Sequence, residues 1–282
     1  GLGDVYKRQS PNIAPEPSIM KVLQESIMVP ENYKYAINEL PEMKSAIHDW
    51  YKNRYNVELT YDEMICLQGS QEALSTLFLA MCDPGDIVLV PDPYYPIFSD
   101  GPKIAGAKVE YMPLLQENNY VIQLDQIDEE IAKKAKIMIV SYPNNPTCAI
   151  APDSFYEELI QFAKKYDIVV LHDNAYSELV FDGKVGKSFL SFEGAKEIGI
   201  ELNSFSKTYG MAGARLGVCV GNKEVIDCYN TLKSNMDYGI FLPIQYAGIE
   251  ALRHGGASIH STCQAYHCLL YTSPSPRDGL LS

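Results

Sequence analysis

Short, nearly uninterrupted apolar runs alternate along this chain with longer amphipathic segments, and that rhythm leaves few folds open. The runs Ile87 to Val90, Ile137 to Val140, Ile168 to Leu171, Ile198 to Leu202 and Leu216 to Val220 read as strands, each bounded by turn residues. Around them, Pro17 to Met28, Pro41 to Tyr55, Gln71 to Met81, Pro152 to Tyr166, Lys223 to Ser234 and Pro243 to Arg253 carry helical periodicity. A run such as Ile168-Val169-Val170-Leu171 has no polar face to turn to water, so both faces of its sheet must be covered. Helical crossovers supply that cover, which predicts an α/β architecture with a mostly parallel sheet sandwiched by helices. At 282 residues, 46% hydrophobic and 11% aromatic, the chain has apolar surface enough for one large domain or two small ones.

A formal charge of −13 argues against nucleic acid or an anionic membrane as partner, so an anionic ligand must meet a local cationic pocket. No apolar run approaches the roughly eighteen residues of a membrane span, and no signal-peptide pattern is present. The seven cysteines form no CxxC pair and the five histidines no metal motif, which gives metal catalysis little support and makes a reduced, cytoplasmic protein the expectation.

The two ends read differently. Residues 1–9, Gly-Leu-Gly-Asp-Val-Tyr-Lys-Arg-Gln, can be encoded by a DNA string whose reverse complement, read one base out of frame, encodes Cys268 to Ser275. That relation resembles a sequencing-library adapter read through at both ends. Residues 1–9 and 268–282 are therefore set aside as adapter-derived, with a native protein expected to extend further on both sides.

Ligands of open α/β sheets collect at the carboxyl ends of the strands, and here those positions are polar and specific. His172-Asp173-Asn174-Ala175-Tyr176 follows one run, and Ser141-Tyr142-Pro143-Asn144-Asn145-Pro146-Thr147 follows another. After a third comes Ser204-Phe205-Ser206-Lys207-Thr208-Tyr209-Gly210-Met211-Ala212-Gly213-Ala214-Arg215. This last segment places an amine, hydroxyls and a guanidinium within a dozen residues, as a site for an aldehyde and a phosphate would; a solvated lysine in a glycine-rich loop is the plainer alternative. Gly69-Ser70-Gln71-Glu72 opens a helix whose first N–H groups suit an anion, although Ser70 could equally serve as a cap.

Asn145-Pro146-Thr147, Asp173 with Tyr176, Lys207 and Arg215 together resemble the class I and II aminotransferases of fold type I, which use pyridoxal phosphate. The resemblance implies that Lys207 supplies the amine for the cofactor aldehyde and later moves the substrate Cα proton. It implies that Asp173 keeps the ring nitrogen protonated and that Asn145 and Tyr176 hold the phenolic oxygen. Gly69, Ser70, Gln71, Ser204, Ser206 and Arg215 would bind the phosphate. Tyr95, with Tyr94 as its neighbour in register, would stack on the ring. Tyr35, with Tyr33 as competitor, would reach the phosphate of a neighbouring subunit, making a homodimer with shared active sites.

Two departures stand out: Cys148 where glycine usually follows Asn-Pro-Thr, and Ala214 where an aromatic often precedes the arginine. Residues 10–37 resemble the start of the family's small domain, and 38–267 most of its cofactor-binding large domain. The small-domain arginine that grips a substrate carboxylate has no counterpart here, so the chain as written is expected to be poorly active.

The stretches Asn32 to Tyr55, Gly69 to Ala73, Tyr142 to Thr147, His172 to Asp182 and Lys233 to Phe241 are similar to LL-diaminopimelate aminotransferases. These exchange an amino group between an amino acid and a 2-oxo acid in a ping-pong cycle. Alanine, aspartate or aromatic aminotransferases, β-lyases, decarboxylases and a non-enzymatic cofactor-sensing module are the other readings.

Overall fold

The computed structural model describes residues 13–181 and 184–272. Residues 1–9 and 273–282 of the adapter-like ends, and Asp182, lie outside them; the 268 boundary itself falls inside a helix whose backbone reaches Thr272.

In chain order the principal elements are α1 (Pro17–Ile27), α2 (Pro41–Tyr55), β1 (Met64–Leu67), α3 (Ser70–Met81), β2 (Ile87–Asp92), α4 (Ile97–Ile104), β3 (Lys108–Pro113) and β4 (Ala135–Ser141). They continue with α5 (Asp153–Tyr166), β5 (Val169–Asp173), β6 (Gly199–Ser204), β7 (Gly217–Gly221), α6 (Lys223–Lys233), α7 (Leu242–His254) and α8 (Gly256–Thr272). The strands form a seven-stranded sheet in the order β1-β7-β6-β5-β4-β2-β3. Only β7 runs against its neighbours, β1 and β6; β6, β5, β4, β2 and β3 pair in parallel.

Each predicted strand is present, and the continuous apolar runs divide between two cores as strand alternation requires. Met138, Val140 and Val170 join Tyr51 of α2 and Phe155, Tyr156 and Leu159 of α5 on one face. Ile137, Ile139, Leu171, Ile200 and Leu202 join Leu74, Leu77 and Phe78 of α3 and Ile226 and Tyr229 of α6 on the other. All ten of the named strand and α3 aliphatic side chains are at most 1% exposed, which fits a sheet sealed from water on both sides. Helix ends follow local chemistry: α2 begins with Pro41 at its first turn, and stops at Asn56 in the left-handed region (φ 55°). The acidic stretch Asp153 to Glu158 of α5 is split between two faces: Phe155 and Tyr156 are buried in the core while Asp153 pairs with Lys187 outside.

β1, β3 and α4 lack a sequence signal for understandable reasons. β1 is four residues long; β3 is an edge strand bearing Lys108, a device that keeps edges from pairing further; α4 contains Gly101 and Pro102, both helix breakers in isolation.

The topology determines where the polar segments meet. β4, β5 and β6 are adjacent and parallel, so the segments after Ser141, Asp173 and Ser204 emerge side by side on one rim. β1 also shares β6's direction, since both oppose β7, and Leu67 and Ser204 both face Gly217. The start of α3 thereby joins the same rim.

Candidate active site

Gly69 occupies the N-cap of α3 at φ 77°, a left-handed conformation that glycine adopts without strain, and it offers no side-chain cap. Ser70 is the first helical residue, so the capping alternative for its hydroxyl is not realised. The opening N–H groups of the helix face the rim, where an anion would satisfy them and interact with the positive end of the helix dipole. The first turn is braced from below. Glu72 accepts from the Gln68 N–H at 2.5 Å and pairs with the buried ammonium of Lys233 at 2.7 Å, which also meets Asp237. Gln68 in turn donates its side-chain amide to Asp237 at 3.0 Å.

Arg215 closes this cradle from the other side. Its guanidinium donates to the Ala212 carbonyl at 2.9 Å and to the Gln68 carbonyl at 3.3 Å, and a Cβ added at Gly69 would sit 2.4 Å from Nη2. Gly217, which sequence reasoning did not assign, is equally confined: a Cβ there would lie 2.7 Å from the Ser70 nitrogen and 3.0 Å from the Asn203 carbonyl oxygen. The signal for it was a glycine inside a strand, which marks close approach of another backbone. Ser204 accepts from the Ser206 N–H at 3.2 Å, leaving its own hydroxyl proton and that of Ser206 available to a ligand.

At the neighbouring strand ends, Asn145 Nδ2 donates to the Tyr176 hydroxyl at 3.4 Å. Tyr95 donates to Gln71 Oε1 at 3.0 Å, tying the segment after β2 to the start of α3. Cys148 adopts φ 58°, a left-handed conformation that accounts for the usual glycine there. Lys207 is half-buried, and burial alone pulls its ammonium pKa below the ordinary lysine value. Burial pushes the Tyr176 phenol up to about 12.

Asp173 is 5% exposed and its Oδ1 has no hydrogen-bond partner. Burial raises its carboxyl to about 6, against the opposing pull of His172 and the Ala175 N–H. A group raised in the folded state stabilises it fully below the unfolded value, and that contribution is lost as pH rises through the folded value. Without ligand, Asp173→Asn should therefore be more stable than the parent above pH 6, by up to about 3 kcal/mol, with the gap closing towards pH 4. Urea unfolding at the two pH values measures this; a gap that widens in acid would contradict it.

Tyr35, expected to serve a neighbouring subunit, makes no hydrogen bond to these groups within its own subunit and turns its ring to the surface. It is 80% exposed and packs its ring on Tyr238 at 5.4 Å, beside Tyr33, which packs on Phe241.

A buried carboxylate with one unpartnered oxygen, a half-buried amine and an anion cradle of N–H groups with an arginine thus line one rim. The family model described as aminotransferase class I and II matches residues 5–261. The chain belongs to the class I and II aminotransferases. It is 46% identical to the LL-diaminopimelate aminotransferase of Halothermothrix orenii over 94% of its own length and 67% of the relative's. It is 42% identical to that of Moorella thermoacetica, over 89% and 64%. The chain therefore spans about two thirds of these relatives.

Among solved structures, substrate-bound BacF from Bacillus subtilis superposes with a TM-score of 0.90 at 35% identity, over 94% of this chain and 70% of that one. A probable N-succinyldiaminopimelate aminotransferase from Thermus thermophilus gives 0.87 at 31%, over 92% and 70%. Members of this aminotransferase family use pyridoxal phosphate. The rim fits that group: Asp173 Oδ1 is free to meet a protonated ring nitrogen, and the glycine-lined cradle suits a phosphate. Among the described residues no helix is long and apolar enough to cross a membrane.

Proposed function

We propose that the protein carrying this chain is a pyridoxal-phosphate-dependent transaminase that exchanges amino groups between LL-diaminopimelate and 2-oxoglutarate. The observation that carries the cofactor assignment is the buried Asp173 carboxylate, its Oδ1 unpartnered, on the same rim as the α3 cradle and the half-buried Lys207. When bound, pyridoxal phosphate supplies an aldehyde that captures an amine and a cationic ring that draws electrons from the substrate Cα.

The residues contribute the rest. Lys207 is the attachment point and the base: burial lowers its pKa and so favours the neutral amine, the form that accepts the Cα proton. Asp173 holds the proton on the ring nitrogen. Asn145 Nδ2 and the Tyr176 hydroxyl hold the phenolic oxygen from one side. Ser70 and Gln71 present backbone N–H groups to the phosphate beside Gly69, whose own N–H donates to the Leu67 carbonyl at 2.8 Å, and Ser204, Ser206 and Arg215 add hydroxyls and a fixed cation. Tyr95, anchored through Gln71, would stack on the cofactor ring.

Residues 38–267 then make up most of a cofactor domain, and 10–37 lead in from a small domain. The exposed apolar patch of Tyr33, Tyr35, Ile37, Tyr238 and Phe241 supports a homodimer in which Tyr35 reaches the partner's phosphate.

LL-diaminopimelate is the preferred donor because the curated relatives above carry that activity in their names and match along nearly the whole chain. Assay of the protein with LL-diaminopimelate and 2-oxoglutarate, against alanine and aspartate as donors, decides the substrate. A kcat/KM at least about tenfold higher for LL-diaminopimelate is expected, a difference of about 1.4 kcal/mol in transition-state binding. Turnover confined to alanine or aspartate would overturn the substrate assignment and leave the transaminase one intact.

A further inference from the structure

Beneath the start of α3 lies a side-chain network to which the roles above give no part. Gly69, in the cap position, has no side-chain cap and belongs to the residue type with the widest backbone freedom. Local propensity therefore does not fix where the first helical N–H groups point. The residue before it is held from three directions instead. The Gln68 N–H donates to Glu72 Oε2 at 2.5 Å, its carbonyl accepts from Arg215 at 3.3 Å, and its side-chain amide donates to Asp237 Oδ2 at 3.0 Å. Glu72 is the third residue of the helix, the position from which a capping box reaches back to the cap N–H. Here the reach extends one residue further, to Gln68, because the Gly69 N–H already donates to the Leu67 carbonyl at 2.8 Å.

Lys233 completes the network. It stands in the last turn of α6 with its side chain 4% exposed, and its Nζ lies 2.7 Å from Glu72 Oε1 and 2.5 Å from Asp237 Oδ2. A lysine is seldom buried so completely unless partners of this kind hold it. Gln68, Glu72, Lys233 and Asp237 thus form a closed cycle of contacts that joins the entry to α3, its first turn and the end of α6. Asp237 Oδ1 is occupied by the Gly239 N–H at 2.9 Å, which fixes the aspartate from its far side. The Tyr229 hydroxyl stands 3.5 Å from Glu72 Oε1, at the outer limit of a hydrogen bond, and cannot replace the amine. Removing the amine would leave two largely buried acidic side chains without their shared donor, a costly arrangement that is relieved when both turn towards water and release Gln68.

We propose that Lys233 is a positioning residue for the cofactor phosphate: through Glu72 and Asp237 it holds Gln68, and Gln68 sets the spacing between the opening N–H groups of α3 and Arg215. The proposal rests on the reading of the α3 start as the phosphate site. Arg215 is also tied to the Ala212 carbonyl at 2.9 Å, so a shift of the Gln68 carbonyl away from that fixed guanidinium opens the cradle between them. The effect is confined to one part of the rim. Among the described residues no hydrogen bond joins the side chains of the cycle to Asp173, Asn145, Tyr176 or Lys207. Lys233 therefore governs recognition of the phosphorylated end of the cofactor and leaves the contacts to its ring and aldehyde unchanged.

Pyridoxal phosphate and pyridoxal share the ring and aldehyde and differ in the phosphate, so the ratio of their dissociation constants separates this role from general support of the fold. Both are measured by absorbance titration of the protein carrying this chain, with borohydride reduction and peptide mapping to confirm attachment at Lys207. Lys233→Met should weaken pyridoxal phosphate binding by about tenfold, as loss of one hydrogen bond to a charged group would, and leave pyridoxal binding within about twofold. Gln68→Ala cuts the tie to Asp237 from an exposed position and should act in the same selective way by about threefold; it decides the matter if Lys233→Met does not fold. Equal weakening of both ligands, or an unchanged ratio in the folded variants, would overturn the proposal while leaving the phosphate site in place. A parent protein that binds the two ligands equally well would overturn the phosphate reading itself, and the proposal with it.

Discussion

Replacing Lys207 with alanine is expected to lower transamination by at least about 10⁴-fold, the upper range for loss of a positioned acid–base group. The variant should also lose the visible absorbance of lysine-linked pyridoxal phosphate. The size of the effect follows from the absence of a substitute. Lys207 is half-buried and burial lowers the pKa of its amine, with no ion pair to it among the described residues. Lys233, a buried lysine beneath α3, is already paired with Glu72 and Asp237. Folding should be nearly unaffected, because truncation removes an amine without opening the core. Steady-state assay, absorbance and thermal unfolding of the same preparation measure the three effects. Ordinary turnover in Lys207→Ala, or trapping of the cofactor on another lysine, would end the assignment.

The second large effect falls on a residue with no chemistry of its own. Gly217→Ala should cost about 1–3 kcal/mol of stability, the usual range for forcing atoms into a packed interior. It should also weaken pyridoxal phosphate binding about ten- to hundredfold, as loss of one hydrogen bond to a charged group would. The added methyl group would meet the Ser70 nitrogen at 2.7 Å, the Gly69 carbonyl carbon at 2.9 Å and the Asn203 oxygen at 3.0 Å. All three are backbone atoms, and β7 is flanked by β1 and β6, so no side chain can swing aside. Relief requires the start of α3 to retreat from the rim, taking its N–H groups with it. Gly213→Ala is the control, since a Cβ there meets nothing within 4 Å. Urea unfolding and fluorescence titration with the cofactor separate the two effects; equal behaviour of the two variants would show that the close approach is immaterial.

Much of the site was legible because its groups need particular elements, and those elements carry local signals. Asp173, Tyr176, Asn145 and Lys207 each follow an apolar run, and a run buried on both faces is readable from composition alone. Gly217 was not legible in the same way: its requirement comes from Ser70, far away in the chain, and exists only once β1 and β7 pair. Tyr35 is the converse case, a residue placed by resemblance whose proposed partner is not within its own subunit. β1, β3 and α4 were missed because brevity, edge polarity and internal Gly101-Pro102 each erase the periodic signal while tertiary packing supplies the stability.

The alternation of apolar runs and amphipathic segments, with polar groups at the run ends, was enough by itself to specify an α/β sheet covered on both faces and the polar segments that end its strands. Those properties are local: burial of both strand faces is written in consecutive residues. Which side chains share the rim, and which lie behind it, was decided only by the tertiary structure. Strand order places Asn145, Asp173 and Lys207 on adjacent segments, and strand pairing sets Glu201 against His172, because both depend on contacts between residues that are remote in sequence.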